Sequence, residues 1–151
     1  MDKENNIKEK FKQALISTVK VISDDYKINI TKKNASSQNF NFFELDNLSN
    51  RQDFIRFRAE ADSEALRKKF SNIEIYKKNL PKNSSYKSLY EISEKIRYEL
   101  IGSKMLKGIS KNFNENYYQK LNLTRKDQLK SKEDVNVSEA FELYMLKNFL
   151  N

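Results

Sequence analysis

Six acidic residues fall into two groups that could act together, Glu60, Asp62 and Glu64 in one stretch and Glu91, Glu94 and Glu99 in another. Carboxylates at such spacing can hold a hard cation or move a proton. The chain has no histidine and no cysteine. That removes disulfides, thiolate chemistry, zinc sites of the usual kind and histidine acid/base catalysis, so any metal would need carboxylates and neutral oxygens. The bland reading of the same acids is ion pairing. Glu94 and Arg97 are neighbours at i, i+3 on a helix face, where pairs of modest worth are common, and that reading is adopted over catalysis. The only two glycines, Gly102 and Gly108, are separated by five residues, with no Gly-Lys-Ser/Thr after them and no hydrophobic strand before. They make no phosphate-cradling loop. Nor does Asp-x-Ser-x-Ser, the metal-dependent adhesion motif, occur.

The elements that must carry these residues are mostly helices. Ile7, Phe11, Leu15, Thr18 and Ile22 recur at helical spacing and predict a first helix ending near Ser23 to Asp25. YKINIT and NFNFFEL alternate at period two, which predicts a β-hairpin over residues 26 to 31 and 40 to 45. Ser49 with Gln52 has capping-box spacing, and Phe54, Phe57, Ala61, Ala65 and Leu66 mark the buried side of a second helix. A short helical piece around IEIYKKNL stops at Pro81, and Ser84 or Ser85 caps the next helix. Leu89, Ile92, Ile96 and Leu100, then Ile101, Met105, Ile109, Phe113, Tyr117 and Leu121, line one long central helix. A strict four-residue stripe drifts around a helix of 3.6 residues per turn, so a bend or break is expected between Gly102 and Gly108. Gly102 lies on the apolar stripe, where a bare backbone allows a close helix crossing; Gly108 lies on the flank. TRKDQLKSKEDVN reads as an exposed connector, and Ser138 caps AFELYMLKNFL, a helix apolar nearly all round. Such a helix is either deeply buried or missing what it packs against. The expected fold is therefore mainly α, a helical domain with a long central helix and a small amino-terminal β-hairpin. One domain spans 1–151: helix plus hairpin over 1–48, helical core over 49–123, charged connector over 124–137 and terminal helix over 138–151.

The net charge of +8 points by reflex to nucleic acid. Lysine far outnumbers arginine, however, and the lysines are scattered, a composition that AT-rich coding also produces. A stand-alone basic helical domain that binds nucleic acid or acts as an adaptor is therefore the alternative reading. No stretch approaches the roughly 20 apolar residues of a membrane span. A soluble, cytoplasmic protein is expected, with no nucleic acid and no membrane as partner.

Taken in order, Ala61, Asp62, Ala65, Leu66, Arg67, Pro81, Glu94, Arg97, Glu99, Gly102, Gly108 and Asn112 make a set that closely resembles the amino-terminal region of the CobT-type subunit of aerobic cobaltochelatase. The ending DVNVSEAFELYMLKNFL is similar to the family's next helix through Asp134, Ala140 and Leu143. The resemblance implies a part in the ATP-dependent machine that inserts cobalt into hydrogenobyrinic acid a,c-diamide during cobalamin synthesis. Its implied partners are an AAA-type ATPase subunit and a large corrinoid-binding chelatase subunit. The complex would use ATP, magnesium and cobalt, with none of them bound by this chain, which would be a non-catalytic scaffold or coupling region. Family members continue into an acidic linker and a von Willebrand A-type domain, so this chain is expected to be a fragment or a natural truncation without that domain. Where many members carry histidines, this chain has Ser71 and Tyr76, which argues against metal ligation here. Asp62, Arg67, Glu94, Arg97, Glu99, Gly102, Gly108 and Asn112 become candidates for a structural or partner-binding role. Arg97 is expected to pair with Glu94 and with Asp62 across a helix seam rather than to border a cobalt site.

Overall fold

The computed structural model describes residues 2–27, 50–123 and 136–149. Apart from residues 26 and 27, the expected hairpin lies outside them, as do residues 124–135 of the expected connector. The described chain is helical: α1 (Asp2–Ser23), α2 (Arg51–Phe70), α3 (Ile73–Asn79), α4 (Ser84–Met105), α5 (Lys107–Leu123) and α6 (Val137–Phe149). Among the described residues there is no strand. The chain divides into two compact units, Met1–Lys69 and Phe70–Asn151.

In the amino-terminal unit, α1 and α2 share a core of Leu15, Val19, Phe57, Ala61 and Ala65, with Phe11, Ile16, Ile22 and Phe54 packed against it. Phe11 and Phe54 meet edge to face with centroids 4.8 Å apart, a favoured aromatic geometry. The buried stripe of α1 is thus Phe11, Leu15, Val19 and Ile22. Ile7, expected on it, is 60% exposed. The helix ends where Asp24 takes a left-handed φ of 57°, a conformation that Asp tolerates better than most residues. Lys69, in the last turn of α2, pairs with Asp24 at that end.

In the carboxy-terminal unit, α4 packs against α5 and α6. Ile96 and Tyr98 of α4, Ile109, Phe113 and Tyr117 of α5 and Leu146 of α6 are its buried apolar side chains. The long central helix is broken as expected, and the break falls on neither glycine. Leu106 alone is extended (φ −132°, ψ 110°), its amide donating to the Gly102 carbonyl and its own carbonyl accepting from Ile109 and Ser110. Gly102 is buried on α4, whereas Gly108 is exposed in the first turn of α5 with nothing near a would-be Cβ.

Three expected caps are corrected. The box at the start of α2 is Asn50 with Asp53, each accepting from the other's backbone amide, one residue beyond the Ser49–Gln52 spacing. Asn83, not Ser84 or Ser85, caps α4. Asn136, not Ser138, caps α6, its side chain accepting from the Ser138 amide. Asn72 caps α3 in the same way. The amide oxygen of asparagine reaches the orphan donors of a first turn as well as a serine hydroxyl does, and the abundant asparagines serve as caps. Of the two alternatives for the terminal helix, deep burial is not what α6 shows: Leu146 is buried, but Val137 and Tyr144 are 72% and 64% exposed.

Candidate functional site

Helix α4 carries three of the six acidic candidates, Glu91, Glu94 and Glu99, and its turns point them to different neighbours. Toward its middle, Arg97 grips Glu94 with two parallel bonds, Nε and Nη2 each lying 2.7 Å from a carboxylate oxygen. The Arg97 Nη2 also donates to the Phe70 carbonyl at 2.8 Å, satisfying a backbone acceptor left over at the end of α2. Ser71 completes the group by donating its hydroxyl to Glu94 at 2.7 Å. The Arg97 bonds, and then that of Ser71, hold the Glu94 carboxyl below the ordinary glutamate range, although partial burial opposes them. The same bonding raises Arg97. One turn earlier, the Tyr76 ring of α3 meets that of Tyr90 at a tilt of 39° with centroids 5.5 Å apart, and its hydroxyl reaches Glu91 at 3.4 Å. Burial, followed by the Glu91 charge, pushes the Tyr76 phenol up.

The other end of α4 faces α5 and α6. Glu99 is 1% exposed and accepts a hydrogen bond from the Tyr117 hydroxyl of α5. Burial first and the Glu99 charge second raise the Tyr117 phenol far above its ordinary value, so it stays a donor. Lys95 of α4 lies over the Tyr117 ring, 5.7 Å from its centroid, and 4.0 Å from Glu142 of α6. Lys120 of α5 donates to the second Glu142 oxygen at 2.6 Å. A charge as shielded as Glu142, 14% exposed, is costly unless paired, and here two helices supply its counter-charges.

Of the expected site residues, Glu94 and Arg97 are brought together as a pair, and Glu99 stands two residues further on, buried against Tyr117. Asp62, 3% exposed, and Arg67 lie on α2, where Arg67 forms its own two-pronged pair with Glu64 at 2.7 and 2.8 Å. Asn112 is half-buried on α5. Sequence reasoning missed Ser71 and Tyr76 as donors, Tyr117 as more than a stripe residue, and Lys95, Lys120 and Glu142 altogether. Glu142 had a readable signal: an acid placed among the apolar residues of AFELYMLKNFL needs a counter-charge from elsewhere.

What the arrangement does chemically is tie helices. Each carboxylate of the carboxy-terminal group is occupied by a lysine, an arginine or a hydroxyl, and among the described residues no three acids gather as a metal-holding group. No helix among them is long and apolar enough to cross a membrane. No solved structure matches the chain. A family model does: that of the cobalamin biosynthesis protein CobT fits residues 5–149, nearly the whole chain, which therefore belongs to the CobT family and to cobalamin biosynthesis.

Proposed function

We propose that this chain is a non-catalytic scaffold that couples the subunits of the ATP-dependent cobaltochelatase, the complex that inserts cobalt into hydrogenobyrinic acid a,c-diamide. Cobalt, ATP and magnesium belong to the complex as cargo and fuel, and an AAA-type ATPase subunit and a large corrinoid-binding subunit are its partners in the cytoplasm. The observation that carries the reading is how the carboxylates are used. Glu94, Glu99 and Glu142, the acids placed to act on a metal or a proton, are all engaged in ties of one helix to the next chain segment or helix. Groups spent in this way make a rigid platform. They fit neither a cobalt ligand set, which needs several oxygens free to converge, nor a phosphate clamp, which needs exposed backbone amides in a glycine-rich loop.

The test is reconstitution with the ATPase and corrinoid-binding subunits, following cobalt insertion by the corrinoid absorbance. Omitting this chain should abolish ATP-dependent insertion, and adding it back should restore insertion. Calorimetry on the chain alone should give no saturable heat with ATP or with cobalt. Insertion that proceeds equally without the chain, or stoichiometric cobalt binding lost on Glu94→Gln, overturns the reading.

A further inference from the structure

We propose that the exposed joint between α4 and α5 is a docking surface for an acidic protein segment that carries apolar side chains. The inference stands on the joint itself and is independent of the cobaltochelatase reading. Residues 104 to 108 are all exposed, and two of them are large and apolar: Met105 at 57% and Leu106 at 48%. The buried side of the two helices is supplied by Gly102, Ile109 and Phe113, so this apolar pair is not used in closing them. A connector with no partner would favour polar residues here, and the extended Leu106 instead holds its side chain at the surface.

The charge around the pair is one-sided. Lys104, Lys107 and Lys111 are exposed, and Lys104 and Lys107 have no ion pair among the described residues. Lys111 has only Glu115, 3.9 Å away. The backbone adds to the same sign. Helices α2, α3, α4 and α6 begin at an asparagine cap, whereas α5 begins after Leu106, which has no side-chain acceptor to offer. The amides of Lys107 and Gly108 meet no acceptor among the described residues, and Gly108 leaves them uncovered. An occupant with carboxylates for the lysines and apolar side chains for Met105 and Leu106 matches both features. A nucleic acid fits less well, because residues 104 to 111 contain no arginine and no aromatic side chain for a base to stack on. A membrane surface would need a wider apolar face than two side chains.

The chain's two glycines make the test direct, since glycine amides fall in a sparse region of an amide correlation spectrum. The isotope-labelled chain is titrated with a short synthetic peptide of glutamates interrupted by two leucines one helical turn apart. The exposed Gly108 amide should shift and saturate while the buried Gly102 amide stays in place. Raising NaCl from about 50 to about 300 mM should weaken binding severalfold. Lys104→Ser with Lys107→Ser should weaken it about tenfold, and Met105→Ser with Leu106→Ser by a similar factor. All four positions are exposed, and the unchanged Gly102 amide reports that the variants are folded. The proposal fails if Gly108 does not move, if either variant binds like the parent, or if a leucine-free glutamate peptide binds equally well. It also fails if a duplex oligonucleotide or phosphatidylserine vesicles shift Gly108 at lower concentration than the peptide.

Discussion

In the amino-terminal unit, Leu15 and Val19 of α1 meet Phe57, Ala61 and Ala65 of α2, and an aromatic edge-to-face contact finishes the seam. In the carboxy-terminal unit, the junctions of α4 with Phe70 and Ser71, with α5 and with α6 all include a carboxylate or its counter-charge. The two ways of closing helices differ in what they specify. Apolar burial is non-directional and has no charge for NaCl to screen or for a proton to titrate. A paired charge adds little net stability but is expensive to leave alone, so it penalises any register in which its partner is missing. The first unit, which also carries a buried Asp62 and the Lys69–Asp24 pair at its end, takes its core from apolar volume, while in the second unit charge holds the core helices themselves in one alignment.

The sharpest way to test that difference is to remove volume from the apolar seam. Phe57, 1% exposed, fills its centre, and Phe57→Ala should lower stability by about 3–5 kcal/mol. Denaturant unfolding at low and high salt should give the same loss, and a loss that depends on salt would break the comparison. Next in size is Tyr117→Phe, which removes one hydroxyl and leaves the buried Glu99 carboxylate short of a donor. The expected cost is about 1.5–3 kcal/mol, out of proportion to the one atom lost. A melt matching that of the parent would show that Glu99 does not depend on this bond.

Arg97→Ala should cost about 1 kcal/mol, because the pair is partly solvated, and more than Lys87→Ala, whose partner Glu91 is 3.9 Å away at the surface. Its pH dependence has a definite sign. Glu94 is held below its ordinary range chiefly by Arg97, so its contribution is present above that range and is lost as pH falls through the folded value. The gap in melting temperature between parent and Arg97→Ala should therefore narrow from pH 7 toward about pH 3. A gap that widens on acidification would reverse the assignment. The smallest expected effect has the opposite sign. Gly108 is exposed, helical and open around its missing Cβ, so Gly108→Ala should raise stability by up to about 1 kcal/mol. A destabilised Gly108→Ala would mean that the joint needs its bare backbone for folding.

Much of this molecule was legible in the chain. The helical class, the buried side of α2 through Phe57, Ala61, Ala65 and Leu66, the stop at Pro81, the break near Gly102 to Gly108 and the Glu94–Arg97 pair all follow from periodicity, proline chemistry and i, i+3 spacing, which act over a few residues. The family resemblance rested on an ordered set of residues and holds over residues 5–149. Other features were settled by neighbours distant in sequence. Whether serine or an adjacent asparagine caps a helix depends on which backbone amides are left unpaired when the chain turns, and both residue types suit the task. Val19 takes the place expected for Thr18 in the buried stripe of α1, and Ile7 is left exposed, because α2 covers one stretch of that helix and not another. Glu99 lies 18 residues before its tyrosine and Glu142 22 residues after its lysine, pairings that no local pattern encodes. Local stereochemistry thus determined the helices, their apolar faces and the i, i+3 pair, whereas only the tertiary structure decided which groups distant in sequence meet, because low-dielectric burial makes a distant partner decisive.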